Sequence, residues 1–334
     1  MEHSRNIREV STMYRILDLF CGAGGFSHGF VSVFGGTHLA VDIDTLPLET
    51  YKANFSDSLI LQCDIGSLHA NEILDIMNGP PDIVIASPPC EEFSLANPDS
   101  DSPAAERIYG TGTARLLLDT IRLVSDLSPR IFVIENVAAL MMGGGKEIVQ
   151  REFKRVGIDD VKFNLVRSHL HGNPSKRVRL FISNIRIKLP KRTPPTVIET
   201  IGDLPPLGLD SLFNYHEDIP NHSYTSVSED KIKQIRKAVW GRGVRHFRSA
   251  QKKTRPNWVR LHPNKVSTSI IGLSRYIHPF EDRLLTVREH ARLMSYPDDF
   301  IFLGHSESQY NQVGESVPPL ISREIAEEVK LHID

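Results

Sequence analysis

The stretch SPPCEEFS (87–94) sets a thiol, Cys90, behind two prolines at the end of an apolar run, PDIVIAS. Proline fixes φ, so the chain is stiff where the cysteine stands. A thiol so placed is a candidate nucleophile toward electron-poor carbon. Taken alone such a cysteine is more often an ordinary buried small apolar side chain, and Glu91 and Glu92 beside it disfavour a thiolate. A second chemical signal lies upstream in DLFCGAGGFSHGF (18–30). Glycines at 22, 24 and 25 let a ligand approach the backbone, and the helix start that follows offers unpaired N–H groups. The spacing is G-x-G-G, not G-x-G-x-x-G, and no P-loop Lys-Ser/Thr follows. Asp42, ending the next apolar run, is suited to accept from ribose hydroxyls, and Asp64 from an adenine amino group. Together these residues point to an adenosine-containing cofactor, either a dinucleotide or S-adenosylmethionine.

Groups of this kind work only if strand ends bring them together. YRILDLF reads as a buried strand, running from Arg15 to Phe20, before the glycine turn. HLAVDIDTLPLETYKANF repeats strand and helix; LILQCDI and PDIVIASPPC are further short strands. RLLLDTIRLVSDLSP is an amphipathic helix leading into the strand RIFVIENV, and FNLVRSHLHG and RVRLFISNI add two more strands. Alternating strands and helices with apolar strand centres predict an α/β fold, a doubly wound, mostly parallel sheet. After about residue 187 the proline-rich LPKRTPPTVIETIGDLPPLG breaks this texture, and no strand–helix alternation is visible up to about residue 303. LLTVREHARLMSY predicts a short helix with Leu285, Ala291 and Met294 inward, and SVPPLISREIAEEVKLHI a closing helix. The expected division is a cofactor-binding domain over 1–187, a smaller irregular domain over 188–303, and a return segment over 304–334.

The chain has 334 residues, enough for one large core or two domains, and its 40% hydrophobic and 24% charged residues are those of a globular protein. No apolar run is long enough to serve as a signal peptide or to span a membrane. Three cysteines without a CxxC pair argue against a disulfide framework or structural zinc, and an intracellular, cytoplasmic setting is expected. The formal net charge is only −2, but twelve Lys and Arg and no acid lie between Lys231 and Lys265, together with both tryptophans. The remainder carries 27 basic against 41 acidic residues, about −14. A basic face on an acidic body suits a polyanion, although a solvated basic helix, KIKQIRKA, is the plainer alternative.

Read in order, these motifs resemble the DNA (cytosine-5)-methyltransferases over almost the whole chain. DLFCGAGGFS resembles the cofactor-binding motif, VDID and CDI the next two, and SPPCEEFS the Pro-Cys nucleophile motif. ENV (135–137) resembles the Glu-Asn-Val motif and PSKRVRLF the Gln-x-Arg-x-Arg motif. RLLTVREHARLMSYPDDF and QYNQVGESVPPL resemble the last two. Three positions depart: Glu91 stands for the usual Gln after the cysteine, Ser175 for the first Gln of Gln-x-Arg-x-Arg, and Glu315 for the Asn of Gly-Asn-x-Val-Pro.

The resemblance implies a chemistry and a set of residues. Cys90 would add to C6 of a cytosine, making C5 nucleophilic. Glu135 would hold a proton at N3 as a neutral acid, Arg179 would bind O2, and Arg177 would position or assist. S-adenosylmethionine would lie against Phe20, Cys21, Gly22, Ala23, Gly24, Gly25, Asp42, Ile43, Asp64, Ile65, Pro88 and Ser316. Cys21 and Cys63, lacking such company, read as structural thiols. The cytosine would be flipped out of double-stranded DNA, with LANPDSDSPAAERIYGTGT (95–113) as a lid. Ser94, Lys252, Lys253 and Arg255 would contact the DNA. A monomer acting on the nucleoid, with a cognate restriction endonuclease as partner in function and not in contact, completes the expectation. The competing readings are a tRNA cytosine-5 methyltransferase, whose usual Cys-Phe-Thr is absent here, a silent DNA-binding homologue, and a dinucleotide oxidoreductase, which leaves Pro-Pro-Cys and Glu-Asn-Val unused.

Overall fold

The computed structural model describes residues 14–93, 103–207, 218–224, 227–248, 254–272 and 276–333, with residues 247, 248 and 254–256 as backbone only. Ser94, Lys252, Lys253 and the side chain of Arg255 therefore lie outside what is described.

The apolar runs become a seven-stranded sheet: β1 (Arg15–Leu19), β2 (Thr37–Asp42), β3 (Leu59–Gln62), β4 (Ile83–Ala86), β5 (Ile131–Asn136), β6 (Lys162–Arg167) and β7 (Val178–Ser183). Its order is β3-β2-β1-β4-β5-β7-β6. The pairs among β1 to β5 are parallel, and β7 runs antiparallel to both neighbours. Central strands β4 and β5 are buried throughout, as parallel strands covered on both faces must be. Edge strand β6 instead alternates buried and exposed residues.

Helices α1 (Gly25–Phe34), α2 (Thr45–Asn54), α3 (Ala70–Met77), α4 (Ala104–Tyr109), α5 (Leu116–Leu127) and α6 (Gly145–Arg155) connect the strands, and α7 (Val197–Ile201) follows β7. The two sides of the pleat sort the core. Ile16, Ile83, Ile85 and Val133 pack with Phe26 and Phe30 of α1, while Leu17, Val84 and Phe132 pack with Ile121 and Val124 of α5. Connections leave β1 toward β2 on one side and reach β4 on the other, so a crevice opens beyond the carboxyl ends of β1 and β4. Open α/β sheets bind ligands at such a switch point.

Within the stretch expected to be irregular, α8 (Glu229–Arg236) precedes a second sheet of β8 (Gly243–Arg248), β9 (Thr254–Arg260) and β10 (Tyr276–Ile277), ordered β10-β9-β8. Polar, cation-rich strands such as GVRHFR lack the period-2 apolar signal, which is why the sequence hides them. Ile235, Trp258, Ile277 and Leu284 form a small core of their own here. Arg260 binds it together, donating to the carbonyls of Ala238, His278, Glu281 and Ile235 and pairing with Asp282 at 2.7 Å.

The chain then returns through α9 (Val287–Leu293), α10 (Ser306–Glu315) and α11 (Pro319–Ile333). Thr286 and Glu289 form a capping box on α9, and Leu285, Ala291 and Met294 are buried as expected. Helix α11 lies tightly on α1: a Cβ at Gly29 would fall 2.1 Å from the Arg323 nitrogen. Ser322 accepts the Gly29 N–H at 3.2 Å and donates to the Phe26 carbonyl. No helix among the described residues is long and apolar enough to cross a membrane.

Candidate active site

The crevice holds a cavity of about 1200 Å³. Its floor is the turn after β1, where Phe20, Gly22 and Gly24 all have positive φ. Only one of these positions has no room for a side chain. A Cβ on Gly24 (φ 92°) would sit 2.3 Å from the Phe55 ring, whereas Gly22 (φ 52°) has nothing within 4 Å of its Cβ position. The Gly22 backbone is thus open to a ligand. Its N–H is fixed by Asp42 Oδ2 at 2.8 Å, and Asp42 Oδ1 accepts from the Asp44 N–H at 3.1 Å. Burial raises the Asp42 carboxyl above its ordinary value, and those N–H groups pull it back. Asp64 takes the Gly66 N–H at 2.9 Å. Phe20, Cys21, Gly22, Ala23, Gly25, Asp42, Ile43, Asp64, Ile65, Pro88 and Ser316 all line the cavity; Gly24 does not, being turned into the packing with Phe55. Ile43 stays 60% exposed, an apolar face at the cavity lip. This open cradle with acids at two strand ends fits the adenosine portion of S-adenosylmethionine. Cys63 also lines the wall, so all three cysteines face one cavity.

Cys90 stands four residues past β4, beside the end of β5, since Ala86 pairs with Ile134. Pro88 is braced from β5, with Asn136 Nδ2 3.5 Å from its carbonyl oxygen. Glu135, 5% exposed, follows Ile134, and its Oε1 lies 2.7 Å from Arg179 Nε across the β5–β7 pairing. Burial raises the Glu135 carboxyl despite Arg179 and Arg177, which oppose it. Burial and the neighbouring Glu135 push the Cys90 thiol up to about 11, and Arg179 and Arg177 pull it down. Cys90, Glu135 and Arg179 are one electrostatic unit.

Arg177, expected to position or assist, is fully buried. Its guanidinium donates to the carbonyls of Ile270 (3.1 Å), Gly314 (2.8 Å) and Glu315 (3.1 Å). It ties the start of β7 to the end of α10 and so holds Ser316 at the cavity. Ser175 is buried, accepting from Asn173 Nδ2 at 2.9 Å and paired in a β-bridge with Ser267.

The two glutamates after the cysteine part company. Glu92 turns into the segment beyond, where its Oε1 takes the Ala114 N–H at 2.8 Å and the Thr113 hydroxyl at 3.3 Å. Glu91 lines the cavity. The expected lid falls partly outside the described residues, but its second half is tied down. Arg107 donates to the Glu92 carbonyl at 3.0 Å and lies over the Phe93 ring at 4.5 Å.

Sequence reasoning missed Asp18. Under the glycine turn it accepts from Ser27 at 2.5 Å, and Ser27 accepts from Tyr51 at 2.8 Å. Burial lifts the Asp18 carboxyl to about 8. The only sequence signal was its place in an apolar strand, where a carboxyl needs a partner.

Comparison with known proteins follows the same lines. C-5 cytosine-specific DNA methylase matches residues 14–331. M.MjaORF1200P of Methanocaldococcus jannaschii is 37% identical, with 95% of this chain and 98% of that protein covered. The type II methyltransferase M1.HphI of Haemophilus parahaemolyticus is 35% identical, with 94% and 86% covered. The solved structure of Spodoptera frugiperda DNMT2 shares the fold at a TM-score of 0.63 and 16% identity, covering 96% of this chain and all of that one (100%).

Proposed function

The chain belongs to the C-5 cytosine-specific DNA methylases, and from that premise we propose that it methylates C5 of a flipped cytosine in duplex DNA through a covalent Cys90 adduct. The observation that carries this reading is the convergence of Cys90, Glu135 and Arg179 beside a cavity floored by the glycine turn. Bound S-adenosylmethionine would supply an electrophilic methyl group. The Cys90 thiolate adds to C6, forming the S–C6 bond and moving the ring electrons toward C5. Glu135, whose carboxyl burial raises, acts in its protonated form and holds a proton at N3, where negative charge would otherwise build. Arg179 donates to O2 from the other side of the carboxyl. After C5 has been alkylated, water removes the C5 proton; those electrons re-form C5=C6 and expel the thiolate. Arg177 acts as a positioning residue through the backbone it clamps.

Tritiated S-adenosylmethionine offered with duplex DNA and with tRNA tests the reading. Label in DNA is expected; label in tRNA alone would overturn it. Asp42→Ala and Asp64→Ala should each lower S-adenosylmethionine affinity about tenfold to a hundredfold, the effect of roughly 1–3 kcal/mol for an unpaired ligand donor. Unchanged calorimetric affinity in both would mean the cofactor lies elsewhere.

Target recognition we assign to residues 188–303, supported by the small separate core and by cations gathered on α8 and β8. Arg245 lies 4.4 Å over the Trp258 ring and Lys231 5.7 Å from it. Lys237 and Arg242 are exposed, and with Ser94, Lys252, Lys253 and Arg255 they are the proposed DNA contacts. Replacing Lys237 and Arg242 with Ala should reduce the log–log salt slope of DNA binding by about one to two units. Sequence preference should persist, since phosphate contacts do not read bases. A slope that does not move would make this a merely solvated face. The type II name of M1.HphI supports a restriction–modification role; that the enzyme acts as a cytoplasmic monomer is part of the proposal.

A further inference from the structure

The cavity wall is strongly acidic. Among its described residues seven carboxylates face it, against Arg115 and His305 alone, with Arg177 and Arg179 behind the wall. Asp42 and Asp64 have the cofactor-binding roles already given, and Glu135 is paired with Arg179. Glu91 and Glu315 are given no cofactor-binding role above, and they stand at two positions where the resemblance leads one to expect neutral amides. One follows the nucleophile directly, and the other ends α10 immediately before Ser316. They interact electrostatically with each other, and Asp44 adds a third negative charge next to Glu315.

We propose that Glu315, together with Glu91, makes this cavity select its cofactor by charge, holding a sulfonium in preference to the neutral thioether left after transfer. This rests on the S-adenosylmethionine reading above. The two forms differ by one methyl group and one positive charge. Methyl transfer removes that charge, so carboxylates near the sulfur lose their attraction for it in the product, while the α-ammonium and α-carboxylate are common to both forms. A wall of amides would treat the two nearly alike. The surplus of acid therefore opposes product inhibition. Arg177 offsets only part of it: one cation stands behind the wall, donating to the carbonyls of Ile270, Gly314 and Glu315, against the several acids that face the cavity.

The same arrangement gives a pH signature. Facing Glu315 are Glu91 from the turn after β4, Asp44 from the start of α2 and Arg177 from the approach to β7; His305 and Glu307 line the cavity from its own helix. Burial first, then Glu91 and Asp44, raise the Glu315 carboxyl above its ordinary value, while Arg177 lowers it. A cation favours the carboxylate, so binding a sulfonium expels a proton. Sulfonium affinity then rises with pH through the Glu315 titration, and thioether affinity does not.

Calorimetric affinities of S-adenosylmethionine, S-adenosylhomocysteine and sinefungin (an ammonium in place of the sulfonium) test this on the whole chain. Glu315→Gln and Glu91→Gln should each move the sulfonium-to-thioether preference about tenfold toward the thioether, the effect of one charge removed from a partly wet cavity. Sinefungin should follow the sulfonium compound, and the pH slope should flatten in Glu315→Gln even though His305 remains. Glu315→Asp, which keeps the charge, should keep the preference. An unchanged preference, or parallel weakening of all three compounds, would overturn the proposal. Failure of all three to bind the wild-type protein would instead remove the cofactor reading beneath it.

Discussion

Cys90→Ser should lower methyl transfer by about four orders of magnitude or more, with S-adenosylmethionine affinity changed by less than about twofold. A serine hydroxyl is a far weaker nucleophile than a thiol and ionises at far higher pH. Here the thiol itself is already pushed up to about 11 by burial and by Glu135, so the site has no margin for a less acidic group. DNA carrying 5-fluorocytosine at the target should trap the wild-type protein as a denaturation-resistant adduct, because fluorine does not leave C5 as the proton does. The serine variant should form none. Cys21 and Cys63 line the same cavity, so mass spectrometry of the trapped peptide must find the base on Cys90. A serine variant within tenfold of wild-type rate would end the nucleophile assignment.

The second large effect should come from Glu135→Gln, and it separates two properties that usually move together. The Glu135 carboxylate raises the Cys90 thiol, so removing it should lower that thiol from about 11 and speed iodoacetamide alkylation of Cys90 at fixed pH. Methylation should nevertheless fall by about 10²–10⁴, because the proton at N3 has no donor. The productive form needs Cys90 deprotonated and Glu135 protonated, one proton shared by the pair. Wild-type rate should rise with pH as the pair loses its first proton and fall as it loses the second, the apparent values belonging to both residues. Glutamine has no proton to lose, so the falling limb should vanish in the variant. Slower alkylation together with slower methylation would indicate collapse of the pocket and refute the acid role.

The parts of the fold that sequence reasoning reached are those dictated by burial. IVIA and the first four residues of IFVIEN are apolar because helices cover both faces of a central parallel strand, and the glycine turn is visible because Gly24 has no room for a Cβ. β8 and β9 were hidden because their side chains are mostly polar and their pairing is a main-chain matter. At the site, Cys90, Glu135 and Arg179 were legible from motif order. What Arg177 holds was not, since its three acceptors are carbonyls 93 to 138 positions away in the chain. Nor could sequence distinguish Glu91, turned to the cavity, from Glu92, turned to Ala114. Partner choice among polar groups is set by tertiary packing, which periodicity does not encode.

The union of α1 with α11 has a consequence for biosynthesis. Gly29 and Ser322 are 293 residues apart, so a ribosome adding about 5–20 residues per second places them in reach only after roughly 15–60 s. Throughout that interval Phe26 and Phe30 lack the part of their cover that comes from Ile321, Ile325 and Val329. The nascent chain therefore carries an aromatic surface that its own last helix will cover. A chain cut short before residue 319 is therefore expected to leave this apolar face exposed.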